Sequence, residues 1–170
     1  MMYSAADWIE TLGLVPLPEE GGLYRELYRS DEVIPQSALP DRFGGDRTYC
    51  TSIYYLLEHP EFSAFHRIQQ EEIWHFYEGS PLTLAILTPQ GNLSQQTLGR
   101  NFKAGERLQV VIRRGDLFAA TVDEAGGYSL VGCTVAPGFE FADFEAPSRD
   151  SLLQAYPQHR AVIEQLTRPS

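Results

Sequence analysis

The chain has 170 residues, 43% of them apolar, including nine Phe, nine Tyr and two Trp, and a formal net charge of -10. That length suits a single domain over residues 1–170, and the apolar content supports a packed core and argues against disorder. So acidic a chain is a poor partner for nucleic acid, where affinity rests on Lys and Arg neutralising phosphates, and for anionic membrane surfaces.

Ser4 followed by Asp7 is a capping-box pattern and Gly13 a stop, so a short helix is predicted over residues 4–12, with Trp8, Ile9 and Leu12 on its apolar face. This stretch has no basic region and mixes acids with its apolar residues, unlike a signal peptide. No run approaches the ~20 apolar residues of a membrane-spanning helix. A cytoplasmic protein without membrane association is therefore expected. Residues 14–22 predict a loop and 23–29 a strand. Pro35, Pro40, Gly44 and Gly45 mark residues 30–46 as a surface loop, long enough for a role of its own.

Strands are predicted at 48–57, 62–68, 72–77, 82–87, 93–98, 108–112, 117–122 and 128–135, with the alternating 139–144 as a last edge strand. Ser148 and Pro157 start helical turns in the tail, whose apolar stripe is read as Ala161, Val162 and Leu166. Cys50 and Cys133 lie in apolar strand-like runs and are expected as buried, reduced thiols. About nine short strands without βαβ alternation predict an all-β antiparallel jelly roll with short helices at both termini.

The groups capable of chemistry concentrate in residues 66–79, HRIQQEEIWHFYEG. Strand parity turns Glu72, Trp74 and Phe76 to one face and Ile73, His75 and Tyr77 to the other. A carboxylate beside two aromatic rings is a mixture that small-molecule sites show.

His66, Glu72 and Gly79 also stand at the spacing of the first motif of the cupins, which are double-stranded β-helix jelly rolls, and the chain resembles that superfamily. Pro60 and Ile68 replace that motif's first Gly and second His. In the second motif Gly115 is retained, while Arg113, Phe118 and Val122 replace its Pro, His and Asn. A closer resemblance, to the single-domain fifth cupin family, a domain of unknown function, runs through EEGGLYRELYRS (19–30), TSIYYLLE (51–58), FSAFHRIQQEEIWHFYEG (62–79) and LVGCTVAPGFEFADFE (130–145). Arg113, Arg114 and Leu117 depart from that family's Pro-Ala-Gly and Trp, at the expected pocket rim.

The resemblance implies a cupin fold, a dimer and a ligand cavity inside the barrel. Residues expected to bind a small organic molecule there are Trp74, Phe76, Tyr54 and Arg67, with His66 and Glu72 as the candidate catalytic or orienting pair. One alternative is a metal-free epimerase- or isomerase-like enzyme, with His66 as base beside Glu72 and with Arg67 and Arg25 on an anionic substrate. Another is a divalent-metal isomerase or oxygenase. Of the four cupin ligand positions only His66 and Glu72 carry donors, so no metal and no cofactor are expected. His75, by a bulge, or His59, from its turn, could add a ligand. The runs TSIYYLL and IWHFY are apolar on both faces, whereas a two-sheet roll buries one face of each strand, so a homodimer is expected.

Overall fold

The computed structural model describes residues 3–169. Ser4 caps helix α1 (Ala5–Leu12) through the reciprocal bonds of a capping box with Asp7, and Gly13 ends it in the left-handed conformation. The strands that follow are β1 (Val15–Pro16), β2 (Leu23–Arg29), β3 (Val33–Ile34), β4 (Arg47–Thr48), β5 (Thr51–Glu58), β6 (Phe62–His66), β7 (Glu71–Gly79), β8 (Leu82–Leu87), β9 (Leu93–Leu98), β10 (Gln109–Ile112), β11 (Leu117–Val122) and β12 (Tyr128–Ala136). Helices α2 (Arg149–Ala155) and α3 (Arg160–Gln165) close the chain.

The strands form two antiparallel sheets, β1-β2-β5-β12-β7-β10 and β6-β11-β8-β9, with β3 and β4 as a separate ribbon. This is the all-β jelly roll the strand pattern predicts. Between the sheets lies the main core, with Leu57, Trp74 and Val131 of the large sheet against Leu84 and Phe118 of the small one. Each outer face is partly covered from a terminus. Trp8, Ile9 and Leu12 of α1 pack on Leu56 and Leu130, while Leu152, Ile163 and Leu166 pack on Phe65, Ala85 and Leu117.

Four expectations are corrected. Residues 139–144 are not a strand: Phe141–Asp143 makes a single 3-10 turn, because the Asp143 carboxylate is drawn inward. Residues 30–46 are not purely loop, since they contain β3 and a 3-10 turn at Gln36–Ala38, and Phe43 is buried. In the tail, Ile163 and Leu166 carry the apolar stripe and Ala161 is exposed, a shift in helix register. Cys133 is buried as expected, but Cys50 is only half-buried, at the break between β4 and β5.

A buried ion pair ties these segments together. Arg47 donates from Nε and Nη2 to the two carboxylate oxygens of Asp143, at 2.6 and 2.5 Å, with 4% and 2% of the side chains exposed. Asp143 also accepts from Gln70 Nε2 at 2.6 Å, and Gln70 reaches the Gly138 carbonyl. The 45–48, 69–70 and 138–144 segments therefore meet at one carboxylate. Removing one partner strands a buried charge. Asp143→Ala should lower the unfolding free energy by about 3–5 kcal/mol in a urea titration; a loss below about 1 kcal/mol, the range of exposed pairs, would show that the pair does not clamp these loops.

Candidate functional site

A cavity of about 290 Å³ lies beside the segment that this ion pair holds. His66 reaches it from the end of β6 and Glu72 from the start of β7. Glu20 enters from the loop between β1 and β2. Ile53, Ile68, Cys133 and Val135 supply apolar wall, and Phe139, Phe141 and Phe144 the aromatic side.

His66 is fixed on both edges and both faces. Its Nδ1 lies 2.8 Å from the Ala64 carbonyl, an acceptor, so Nδ1 carries a proton and donates it. Nε2 is left facing Glu20 Oε2 at 3.7 Å, too long for a hydrogen bond. The ring packs against Phe118 and Phe144, with centroids 4.1 and 5.3 Å away. Glu20 is held in turn, Oε1 accepting from Ser63 Oγ at 2.9 Å and its backbone carbonyl from the Ala64 N–H at 2.9 Å. Its loop depends on Gly21 and Gly22, at φ +104° and +72°. A Cβ on Gly22 would overlap the Tyr55 hydroxyl, which donates to the Gly21 carbonyl at 2.9 Å.

Glu72 is 8% exposed, and among the described residues no cation pairs with its carboxyl. Burial first, and the charge of Glu20 second, push its pKa from 4.5 up to about 8. The Cys133 thiol and the Trp74 indole N–H lie beside it and offset part of this rise. Trp74 Nε1 itself has no hydrogen bond of full geometry. Glu72 therefore keeps its proton at neutral pH. Burial, with Glu72 and Glu20 adding, also pushes the Cys133 thiol well above its usual value, which removes it as a nucleophile. A protonated carboxyl and an imidazole thus line one cavity, a pair able to donate a proton and to accept one.

At the mouth, Arg29 binds Glu26 through Nε and Nη2, at 3.1 and 2.9 Å, and Glu140 through Nη1 at 2.7 Å. Four carboxylates, Glu20, Glu26, Glu72 and Glu140, line the cavity against this one guanidinium.

Of the residues singled out in the sequence, the structure brings His66 and Glu72 to the cavity but does not join them. The carboxylate paired with His66 is Glu20. Trp74 shares the inward face of Glu72, yet packs edge-on against Tyr55 and Phe118 in the core, at 5.6 and 6.1 Å. Phe76 lies further along the same core face, under the Arg100 guanidinium. Tyr54 is on the outer face, edge-on to Tyr77. Arg67 is at the surface, paired with Glu145 at 2.7 Å, and Arg25 donates to the Leu12 carbonyl outside the barrel. None of these five lines the cavity. His75 faces outward against Thr134 Oγ1, and His59 is held to the Val122 carbonyl, so neither joins His66. Glu20, Arg29 and the three Phe of 139–144 escaped the sequence reading. Glu20 and the three Phe lie in loops, which carry no face periodicity, the one sign being an acid directly before a Gly-Gly turn, and Arg29 ends a strand of mixed patterning.

The donor set does not fit a cupin metal centre. Phe118 and Ile68 stand at two of the four ligand positions, Phe118 stacked on His66 and Ile68 in the cavity wall. Among the described residues no group of three or more His, Cys, Asp and Glu side chains is arranged to hold a metal ion.

The raised pKa has a definite sign for stability. A carboxyl whose folded pKa exceeds its unfolded value favours folding fully below the unfolded value and loses that contribution as pH rises to the folded one. Glu72→Gln should match the wild type near pH 4.5 and become progressively more stable than it up to about pH 8. The gain should reach order 4 kcal/mol in urea unfolding. A difference that is flat with pH would contradict the shifted carboxyl.

The Cupin superfamily (DUF985) family model matches residues 6–146. Protein SO0799 from Shewanella oneidensis is 41% identical, with 99% of this chain and 100% of that one covered and a TM-score of 0.89. A hypothetical protein from Leishmania major is 34% identical over 97% and 99% of the two chains, with a TM-score of 0.87. A cupin 2 domain-containing protein from Halorhodospira halophila shares the fold alone, at 12% identity over 91% and 88% and a TM-score of 0.56. No curated protein matches the chain. No helix among the described residues is long and apolar enough to cross a membrane. With two sheets rolled around His66 and Glu72, and with a family match spanning most of its length, the chain belongs to the cupin superfamily, in the family described as Cupin superfamily (DUF985).

Proposed function

We propose that this cupin binds a small organic molecule in the cavity between its sheets. The observation that carries this reading is the convergence of three buried or half-buried polar side chains, His66, Glu72 and Glu20, from three separate elements on one cavity of about 290 Å³. Barrel cores are close-packed, and polar groups are placed inside them at a cost unless they meet a partner. Apolar walls with a few convergent polar groups are the usual composition of a small-molecule site. Ile53→Trp would fill the cavity from β5. A set of small fragments of different charge, followed by amide chemical shifts, should perturb Ile53, Ile68 and Val135 in the wild type and leave the tryptophan variant unperturbed. Perturbations confined to other surfaces, or persisting in the variant, would overturn the reading.

The second part of the reading is a dimer. One row across the outer face of the large sheet runs Val111, Ile73, Thr134, Ser52 and Tyr28 in register, and Tyr77 lies beside it. Helix α1 covers Leu56 and Leu130 but not this row, where Val111, Tyr77 and Tyr28 are 42%, 40% and 53% exposed. A self-complementary two-fold contact is the simplest cover for such a face. Sedimentation should give a species of twice 19.1 kDa, which Ile73→Glu converts to monomer; a wild type that is monomeric at micromolar concentration would contradict it.

A further inference from the structure

The sign of the charge around the cavity says more about its occupant than its size does. Glu20, Glu26, Glu72 and Glu140 line it, and the only guanidinium among its lining residues, Arg29, is already engaged by Glu26 and Glu140 at the mouth. The interior is left with Glu20, with Glu72, whose carboxyl stays protonated beside the Glu20 charge, and with His66. Glu72 is a nine-tenths buried carboxyl that no cation among the described residues meets. The cations that would favour an anionic occupant, Arg67 and Arg25, are outside the barrel and paired there. The aromatic side of the cavity, Phe139, Phe141 and Phe144, presents ring faces and edges, surfaces that accept an organic cation as readily as a neutral body.

We propose that the occupant is a small organic ammonium ion, its nitrogen seated between Glu20 and Glu72 and its hydrocarbon body against Phe139, Phe141 and Phe144. This deepens the ligand-binding reading above and rests on it. An ammonium donates to both carboxyl groups at once and offsets the repulsion that otherwise keeps Glu72 protonated beside Glu20. An anion would meet the Glu20 carboxylate unscreened. A neutral alcohol would gain hydrogen bonds without relieving the charge.

The proposal links binding to a proton. The groups facing Glu72 are Glu20 from the β1–β2 loop, His66 from β6, Cys133 from β12 and, further off, Tyr55 from β5, with Arg168 of the C-terminal segment bonded to the Glu20 backbone. No Lys or Arg side chain among them lines the cavity. An arriving ammonium makes Glu72 ionise and release its proton. Affinity should therefore rise about tenfold per pH unit as pH approaches about 8, and then level off.

The test is calorimetric titration of the intact protein with a series of amines from methylamine to benzylamine, each beside its isosteric alcohol and carboxylate. The amines should bind more tightly than either counterpart, with affinity rising from pH 6.5 to 7.5 and with proton release shown by dependence on buffer ionisation heat. Glu72→Gln and Glu20→Gln should each weaken amine binding at least about tenfold at pH 8 and weaken alcohol binding by less. Amide shifts at Ile53 and Val135 place the bound probe. Alcohols or carboxylates binding as tightly as amines, or amine affinity unaltered in both variants, would overturn the ammonium assignment and leave the cavity reading standing. Absence of binding by every probe of every charge would overturn the cavity reading and this one with it.

Discussion

A carboxyl group held inside an apolar barrel without a counter-cation is the feature around which this molecule makes sense. The period of two along β7 that buries Trp74 and Phe76 turns Glu72 inward with them, and no register shift separates the three. The strand cannot bury its aromatic pair and expose the acid. What the fold can do is keep the acid neutral, through burial and through the negative charge of Glu20 nearby. Burial, with Glu72 and Glu20 adding, likewise raises the Cys133 thiol across the strand pair. The pocket is thus electrostatically biased before any ligand arrives, and the bias is a property of the backbone pattern as much as of individual side chains.

The loops complete what the strands begin. Glu20 comes from a turn that needs two glycines, Gly21 against the Phe62 carbonyl and Gly22 against the Tyr55 hydroxyl, and Ser63 and the Ala64 amide then fix its position. On the opposite side, the Arg47–Asp143 pair and Gln70 draw the 138–144 segment inward, so that Phe139, Phe141 and Phe144 close on the cavity. Both devices lie outside the two sheets. Two relatives of the same family can therefore share a barrel and differ in cavity shape through these turns alone, which is where loops of rigid scaffolds commonly carry function.

The strand framework was readable because its signals are local. Residues 23–29, 82–87, 93–98 and 117–122 form strands at the predicted bounds, and the capping box of Ser4 and Asp7 sits where its spacing put it. Parity also separated Glu72 from His75 correctly, since the bulge in the β7–β12 pairing falls near Tyr77, beyond both. Parity could not tell which inward residues line a cavity and which fill the core. Trp74 and Glu72 share a face, and only the depth of packing against Tyr55 and Phe118 decides that the ring is buried filler. The alternation of FEFADF was misread for a related reason. A buried ion pair 96 residues apart in sequence overrides a local period, and nothing around Asp143 announces Arg47. Arg67 directly follows His66 and Tyr54 directly follows Ile53, and adjacency along extended chain places a side chain on the far face from its neighbour.

Whether the interior carboxyl of Glu72 stays protonated at neutral pH, where no cation among the described residues meets it, can be measured in the free protein. Isotope-edited infrared spectroscopy, as the difference between wild type and Glu72→Gln, isolates the stretch of one protonated carboxyl. This band should be present at pH 7 and disappear with a midpoint near 8. A band already lost near pH 4.5, the ordinary value for a glutamate, would contradict it.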